Sequence, residues 1–405
     1  MQRIVVLGGG FAGLWSAIGA ARKLDELGIG PDRIEVTLVD RSAFHSIRVR
    51  NYEAELAQTR VLLDEVLPPI GVRRIEAEVS DIDLAQCLVI LSGGGAEPLS
   101  YDRLVFALGS RLVRPPIPGL SAYAFDVDTY EGGSRLNAHI AALPARKASP
   151  GQRTALVIGG GLTGIETAAE MPGKLRAAID GGPGEPRVIL ADRQPWIGSD
   201  MGEEARAVID EALAALGVET RPGVSVAAID EDGATLSTGE RIAAATVVWC
   251  AGMQAHPLTR LFPVERDRFG RIPVDAFLKV EGMPAEFAAG DTAWFAIDGS
   301  RPCVMSCQHG RPMGRFAGHN VVCDLLGLPM LPLRVEWYTT ILDLGPWGAV
   351  CTAGWDRRVA ATGAAAKRTK MKINRERIYP PRSGNRREIL DAADPIIQAP
   401  PAFFR

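Results

Sequence analysis

The sequence predicts an α/β fold in which one local unit occurs twice, followed by a smaller C-terminal region. The unit is a buried strand, a glycine turn, a helix and a second strand ending in an acid. Three observations carry this reading. Residues 4–40 spell the unit out once, residues 154–192 spell it out again, and two later apolar strands near residues 246–250 and 287–289 each run into a glycine.

The first copy begins with Ile4, Val5, Val6 and Leu7, an apolar run of the length expected for a buried strand. It turns through Gly8, Gly9, Gly10, Phe11, Ala12 and Gly13, and continues over residues 14–21 with the small and apolar side chains of a packed helix. A second apolar strand, residues 34–39, delivers Asp40, with Arg41 next to it. Gly8 permits the tight turn, Gly10 lets backbone approach a pyrophosphate, and Gly13 lets the helix lie close to the strand. The unpaired N–H groups at the start of that helix, at Phe11 and Ala12, would meet the pyrophosphate, and Asp40 could accept hydrogen bonds from a ribose. A glycine turn that only packs helix on sheet is the alternative. Strand, helix and acid together favour a Rossmann-type dinucleotide-binding unit.

Beyond Asp40, His45 and Arg48 sit in a polar segment that either contacts a bound nucleotide or forms a solvated loop. Residues 52–67 have helical spacing and stop at Pro68 and Pro69; residues 72–100 read as short strands around a tip at Ser92, Gly93, Gly94 and Gly95. Residues 101–108 form a buried strand ending at Gly109, and Pro115, Pro116 and Pro118 mark a boundary. The second copy follows. Its strand is residues 154–158, its turn Gly159, Gly160, Gly161, Leu162, Thr163 and Gly164, and its acid Asp192, followed by Arg193. A repeat of this kind makes either copy far less accidental. A helix over 202–216, strands near 224–229 and 246–250 leading to Gly252, the Gly290-Asp291 pair and a helix over 306–326 complete the regular part. The chain from Pro329 onward reads as less regular.

Composition is that of a globular protein of two or three domains, with 405 residues, 47% hydrophobic and 23% charged. A net charge of −3 gives no reason to expect nucleic acid as a partner, and the strand that starts after Met1-Gln2-Arg3 leaves no room for a signal peptide. Six cysteines without a C-x-x-C pair read as reduced thiols in a cytoplasmic chain, and no metal-ligand spacing is seen. From Asp356 onward there are twelve Lys or Arg against five Asp or Glu, densest over residues 367–372. This basic tail is either a solvated face, a subunit contact in a homodimer, or a surface for peripheral contact with the inner face of the cell membrane.

Taken together, the two glycine turns, the strands ending at Gly109 and Gly252 and the Gly290-Asp291 pair resemble the pyridine nucleotide-disulfide oxidoreductase superfamily over roughly residues 1–325. The resemblance implies an FAD-binding domain at 1–120 and 265–328, an inserted NAD(H)-binding domain at 121–264, and a C-terminal region at 329–405. The first glycine turn would hold FAD, with Asp291 on its ribityl chain, and the second would hold NADH. No cysteine lies between Met1 and Cys87, which excludes a redox disulfide at the flavin and points to a branch similar to the type II NADH dehydrogenases. Within that resemblance Glu166 matches a glutamate near the nicotinamide and quinone; the alternative is a first-turn carboxylate favoured by the helix dipole. Gln308 matches the first glutamine of the quinone motif, Pro312 stands in place of the second, and His309 could donate to the flavin edge or the acceptor. Hydride would pass from NADH to the flavin and then to a quinone-type acceptor, with Asp192 favouring NADH over NADPH. A soluble reductase serving a protein acceptor and a non-enzymatic redox sensor are the two other readings.

Overall fold

The computed structural model describes residues 1–92, 97–146, 149–179 and 185–402. The glycines of the expected tip at 93–95 lie outside the described residues. Five parallel strands form the first sheet, in the order Glu286–Ala288, Arg103–Phe106, Gln2–Leu7, Ile34–Asp40 and Arg73–Glu76. Five more form the second, in the order Ala124–Phe125, Thr246–Trp249, Thr154–Ile158, Arg187–Ala191 and Val218–Arg221. The central strands read as unbroken apolar runs because both faces of a parallel sheet are covered. Ile4, Val5, Val6 and Leu7 are all fully buried, as are Ala155, Leu156 and Val157.

The first glycine helix, Phe11–Glu26, packs along the late helix Cys307–Leu326. The contact is backbone to backbone. A Cβ on Gly314 would lie 2.4 Å from the Ala12 carbonyl oxygen, and one on Gly318 2.1 Å from that of Ser16. The chain crosses between the two sheets in two places, and the crossings pair with each other: Ser110–Leu112 runs antiparallel to Met253–Ala255.

Two expectations need correction. Residues 52–67 do not form a helix. Arg60–Leu62 pairs as a strand with Phe44–Ser46, flanked by short 3₁₀ turns. The helical spacing misleads because its apolar residues serve different neighbours: Leu63 and Val66 join the core of the first sheet, while Tyr52 packs with the second. The region after Pro329 is also more regular than expected. Thr339–Asp343, Ala349–Ala353 and Arg358–Thr362 form an antiparallel sheet, and the basic run lies on the helix Gly363–Lys372 that follows. Among the described residues no helix is long and apolar enough to cross a membrane.

Candidate functional site

The two glycine turns are built alike. Gly8 has φ +104° and Gly159 φ +109°, the left-handed side that favours glycine. A Cβ on Gly13 would lie 1.8 Å from the Gly8 carbonyl oxygen, and one on Gly164 1.7 Å from that of Gly159. By contrast, a Cβ on Gly10 would meet nothing within 4 Å and one on Gly161 only Asp200 at 3.9 Å, so both helix N-termini are open to a ligand. The acids repeat the symmetry. Asp40 accepts from the N–H of Gly9 at 2.6 Å and of Ser42 at 2.7 Å, and Asp192 accepts from those of Gly160 and, at 2.6 Å, Gln194. Burial raises the Asp40 carboxyl above its usual range, against the pull of those two N–H groups.

Both turns open on one cavity of about 1940 Å³ between the two sheets. Sites for single small ligands enclose roughly 300–1,000 Å³, so this space is large enough for two. Gly8, Gly10, Phe11, Ala12, Asp40, Arg41, Gly109, Gly290 and Asp291 line it from the first unit, and Gly159, Gly161, Leu162, Thr163, Glu166, Asp192 and Gly252 from the second; Gln308 joins them from the late helix. Asp291 accepts from Ser110 Oγ at 2.6 Å and has Arg48 at 3.8 Å, which in turn pairs with Asp128. The Gln308 Nε2 atom is buried with no partner among the described residues.

Gly13 and Gly164 stand behind this lining, where they act through packing. His309, expected at the flavin edge or the acceptor, is also behind this lining. Its ring is fully buried beside the stacked pair of Tyr338 and Trp355, and its Nδ1 accepts from the Val304 N–H at 2.9 Å. Burial lowers its pKa to about 4. His45 is likewise fully buried, donating from Nδ1 to the Gly9 carbonyl at 2.8 Å.

Glu166 is in the second turn of its helix, Leu162–Ala178, so the dipole alternative loses its basis. The residue is 5% exposed. It accepts from Lys370 Nζ at 2.7 Å and from the Asp343 N–H at 3.1 Å. Lys370 also donates to the Ile341 carbonyl at 2.9 Å, and both residues line the cavity. Burial raises the Glu166 carboxyl despite the Lys370 ammonium. Burial pulls the Lys370 ammonium down, and Glu166 with Asp343 more than reverses this. Around the pair, Tyr52 Oη donates to Asp343 at 3.2 Å and Lys367 also binds Asp343.

Sequence reasoning missed Lys370, which it placed in a solvated or membrane-facing basic run. Lys367 and Lys370 instead turn inward, one helical turn apart. The signal was there only as spacing, since residues three apart share a helix face. Arg311 and Arg315 were missed as well. Both line the cavity from the late helix, 7% and 4% exposed.

The family model described as pyridine nucleotide-disulphide oxidoreductase matches residues 2–314. An NADH dehydrogenase-like protein of Mycobacterium tuberculosis is 54% identical over 402 residues, which is 99% of this chain and 100% of that one. A demethylphylloquinone reductase of Synechocystis is 29% identical over 360 residues, 86% of each chain. The NDH2 of Plasmodium falciparum, solved with NADH, superposes with a TM-score of 0.77 over 97% of both chains at 12% identity, a likeness of fold. Such membership implies a flavin and a nicotinamide dinucleotide, and the doubled glycine units opening on one cavity have the form it requires. The chain belongs to the pyridine nucleotide-disulphide oxidoreductase family and is an oxidoreductase.

Proposed function

We propose that this protein is an FAD-dependent NADH dehydrogenase that delivers electrons to a quinone-type acceptor. The observation that carries the reading is the single cavity into which both glycine units open, wide enough for two dinucleotides to meet. The names of its relatives support the acceptor: a demethylphylloquinone reductase and type II NADH:quinone oxidoreductases. In this reading residues 1–120 and 265–328 form the FAD domain and 121–264 the NAD(H) domain.

The residues present fit these groups. Gly10 and the N–H groups of Phe11 and Ala12 would cradle the FAD pyrophosphate, Asp40 its adenosine ribose and Asp291 its ribityl chain. The unpartnered Gln308 amide would donate to the flavin's pyrimidine edge. Gly161, Leu162 and Thr163 would take the NADH pyrophosphate, and Asp192 its ribose hydroxyls, repelling the extra phosphate of NADPH. When bound, the flavin supplies the chemistry of accepting a hydride and releasing two electrons. The chain's own work is to position both ligands, exclude water and supply protons. Glu166 is suited to the last task because burial raises its carboxyl above the usual range against the pull of Lys370, so it holds a proton more readily than an exposed glutamate.

Anaerobic titration with NADH, followed by addition of menadione, tests this. NADH should bleach the flavin and menadione should restore it. A preparation that is colourless and takes up no flavin overturns the reading, and bleaching without restoration by any quinone removes the acceptor.

A further inference from the structure

One limb of the cavity is chemically unlike the rest. It runs from Gln308 between the late helix, the segment after Lys370 and the chain near Pro401. Acids line the cavity at both glycine units, and Glu166 reaches this limb's edge at Lys370, but beyond it no acid lines the limb among the described residues. Four cations do: Arg311, Arg315, Lys370 and Arg377. Lys370 has Glu166, and Arg377 donates to the Ala399 carbonyl at 2.7 Å. Among the described residues Arg311 and Arg315 have no carboxylate partner. Each guanidinium carbon instead lies beside the Trp15 ring, 4.8 and 4.5 Å from its centroid, and the Nε of each is buried with no partner among the described residues. The acid that acts on Arg315, Asp394, is bonded to Arg22 at 2.7 Å.

Two neighbouring buried guanidinium groups repel each other, and burial costs each its hydration. Contact with one tryptophan offsets only part of this. Burial, with Arg315 and Arg377 nearby, lowers Arg311 to about 9; burial, with Arg377 nearby and against the pull of Asp394, lowers Arg315 to about 10, so both still carry charge at neutral pH. Buried charges in proteins are paired, and a planar guanidinium fork matches the two oxygens of a carboxylate, as it does those of a phosphate. The walls around them are apolar and aromatic, with Trp337, Ile378 and Ile397 on the lining. The limb therefore suits a flat ring carrying an anion.

We propose that this limb binds a quinone whose ring bears a carboxylate, held by Arg311 and Arg315. The proposal rests on the quinone-acceptor reading above and narrows it. NADH and one proton are consumed, the quinone gains two electrons and two protons to become the hydroquinone, and the carboxylate is unchanged.

The test uses the holoenzyme with two acceptors, neutral menadione and a naphthoquinone carboxylate. The variants are Arg315→Gln, Arg311→Gln and Arg315→Lys. The ratio of kcat/KM for the anionic over the neutral quinone should fall about tenfold or more in each Gln variant, the loss of one charge-assisted contact. Arg315→Lys, which keeps the charge, should recover part of it. Binding is read separately, by quenching of tryptophan fluorescence with the naphthoquinone carboxylate in the absence of NADH. Without ligand, Arg315→Gln should unfold at a higher denaturant concentration than the parent, a gain that a purely structural arginine would not give. An unchanged ratio in all three variants overturns the proposal. So does loss of bound flavin with an unchanged ratio in flavin-saturated protein, which would assign the guanidiniums to the cofactor's phosphates. If neither quinone turns over while the carboxylate binds the parent and not Arg315→Gln, the anion site is supported and the quinone assignment falls.

Discussion

The two glycine helices are the same backbone put to different uses. Ser16 Oγ donates to the Ala12 carbonyl at 2.8 Å, and at the matching place Thr167 Oγ1 donates to that of Thr163 at 2.7 Å. One residue earlier the copies part. The first has Trp15, against which Arg311 and Arg315 lie; the second has Glu166, paired with Lys370. The sheets diverge in the same manner. The strand outside Arg103–Phe106 comes from late in the chain, Glu286–Ala288, whereas the one outside Thr246–Trp249 comes from early, Ala124–Phe125. The repeated part thus determines where dinucleotides can sit. The single position after the turn determines what the neighbouring chemistry is: unpaired cations on one side, an ion pair on the other.

The largest effect should come from breaking what the copies share. Gly13→Val and Gly164→Val each force a side chain into a carbonyl less than 2 Å away, costing on the order of 5 kcal/mol. The expected outcomes differ by unit. Flavin content should collapse in the first variant; the second, if it is soluble, should keep flavin and lose NADH affinity, as read by absorbance and titration.

Next comes the position where the copies differ. Glu166→Gln leaves the Lys370 ammonium buried beside a neutral amide, a loss of about 3 kcal/mol in denaturant unfolding. Quinone turnover should fall about a hundredfold. Glu166→Gln combined with Lys370→Met should regain stability but not turnover. Recovery of both would make the pair purely structural.

Acid should separate the two units. The Gly9 carbonyl is held by the His45 ring, while the matching Gly160 carbonyl is held by the Gly198 N–H at 2.9 Å. Burial lowers His45 from 6.5 to about 4. The unfolded chain therefore binds the proton more readily, and His45 favours the folded state fully above pH 6.5 and progressively less as pH falls toward 4. From pH 7 to pH 5 the first unit should lose about 2 kcal/mol from this ring, with buried His309 acting in the same direction. Hydrogen exchange corrected for intrinsic rates should show residues 2–26 loosening before residues 154–178. Equal loosening, or no change on His45→Gln, would contradict this.

The smallest effect is at the acids. Asp192→Asn should raise the preference for NADPH over NADH by about 1 kcal/mol, several-fold in the ratio of kcat/KM. Asp40→Asn should leave that ratio unmoved and weaken FAD retention instead.

The glycine units were legible because a left-handed turn and a close helix crossing leave few residue choices, and those choices are local. Gly8, Gly13 and Asp40 announce themselves within forty residues. The segment around Tyr52 was misread because its apolar spacing reflects two different cores rather than one helix face. Lys370 was hidden for another reason: its partner is 204 residues away, and a lysine in a basic run looks the same whether it faces water or Glu166. His309 adjoins Gln308 in sequence, yet helix geometry turns the two side chains in different directions. Nothing local marks Arg311 and Arg315 as buried, since their covering segments arrive from the end of the chain.

The paired crossings between the sheets, Ser110–Leu112 and Met253–Ala255, behave as the spine of a book. Trp249 reinforces that spine by donating to the Val113 carbonyl at 2.8 Å. Two covers bound along one edge can swing about it but cannot slide or twist apart. On the reading proposed above, the gap between the two bound dinucleotides would then be set by this binding of the chain.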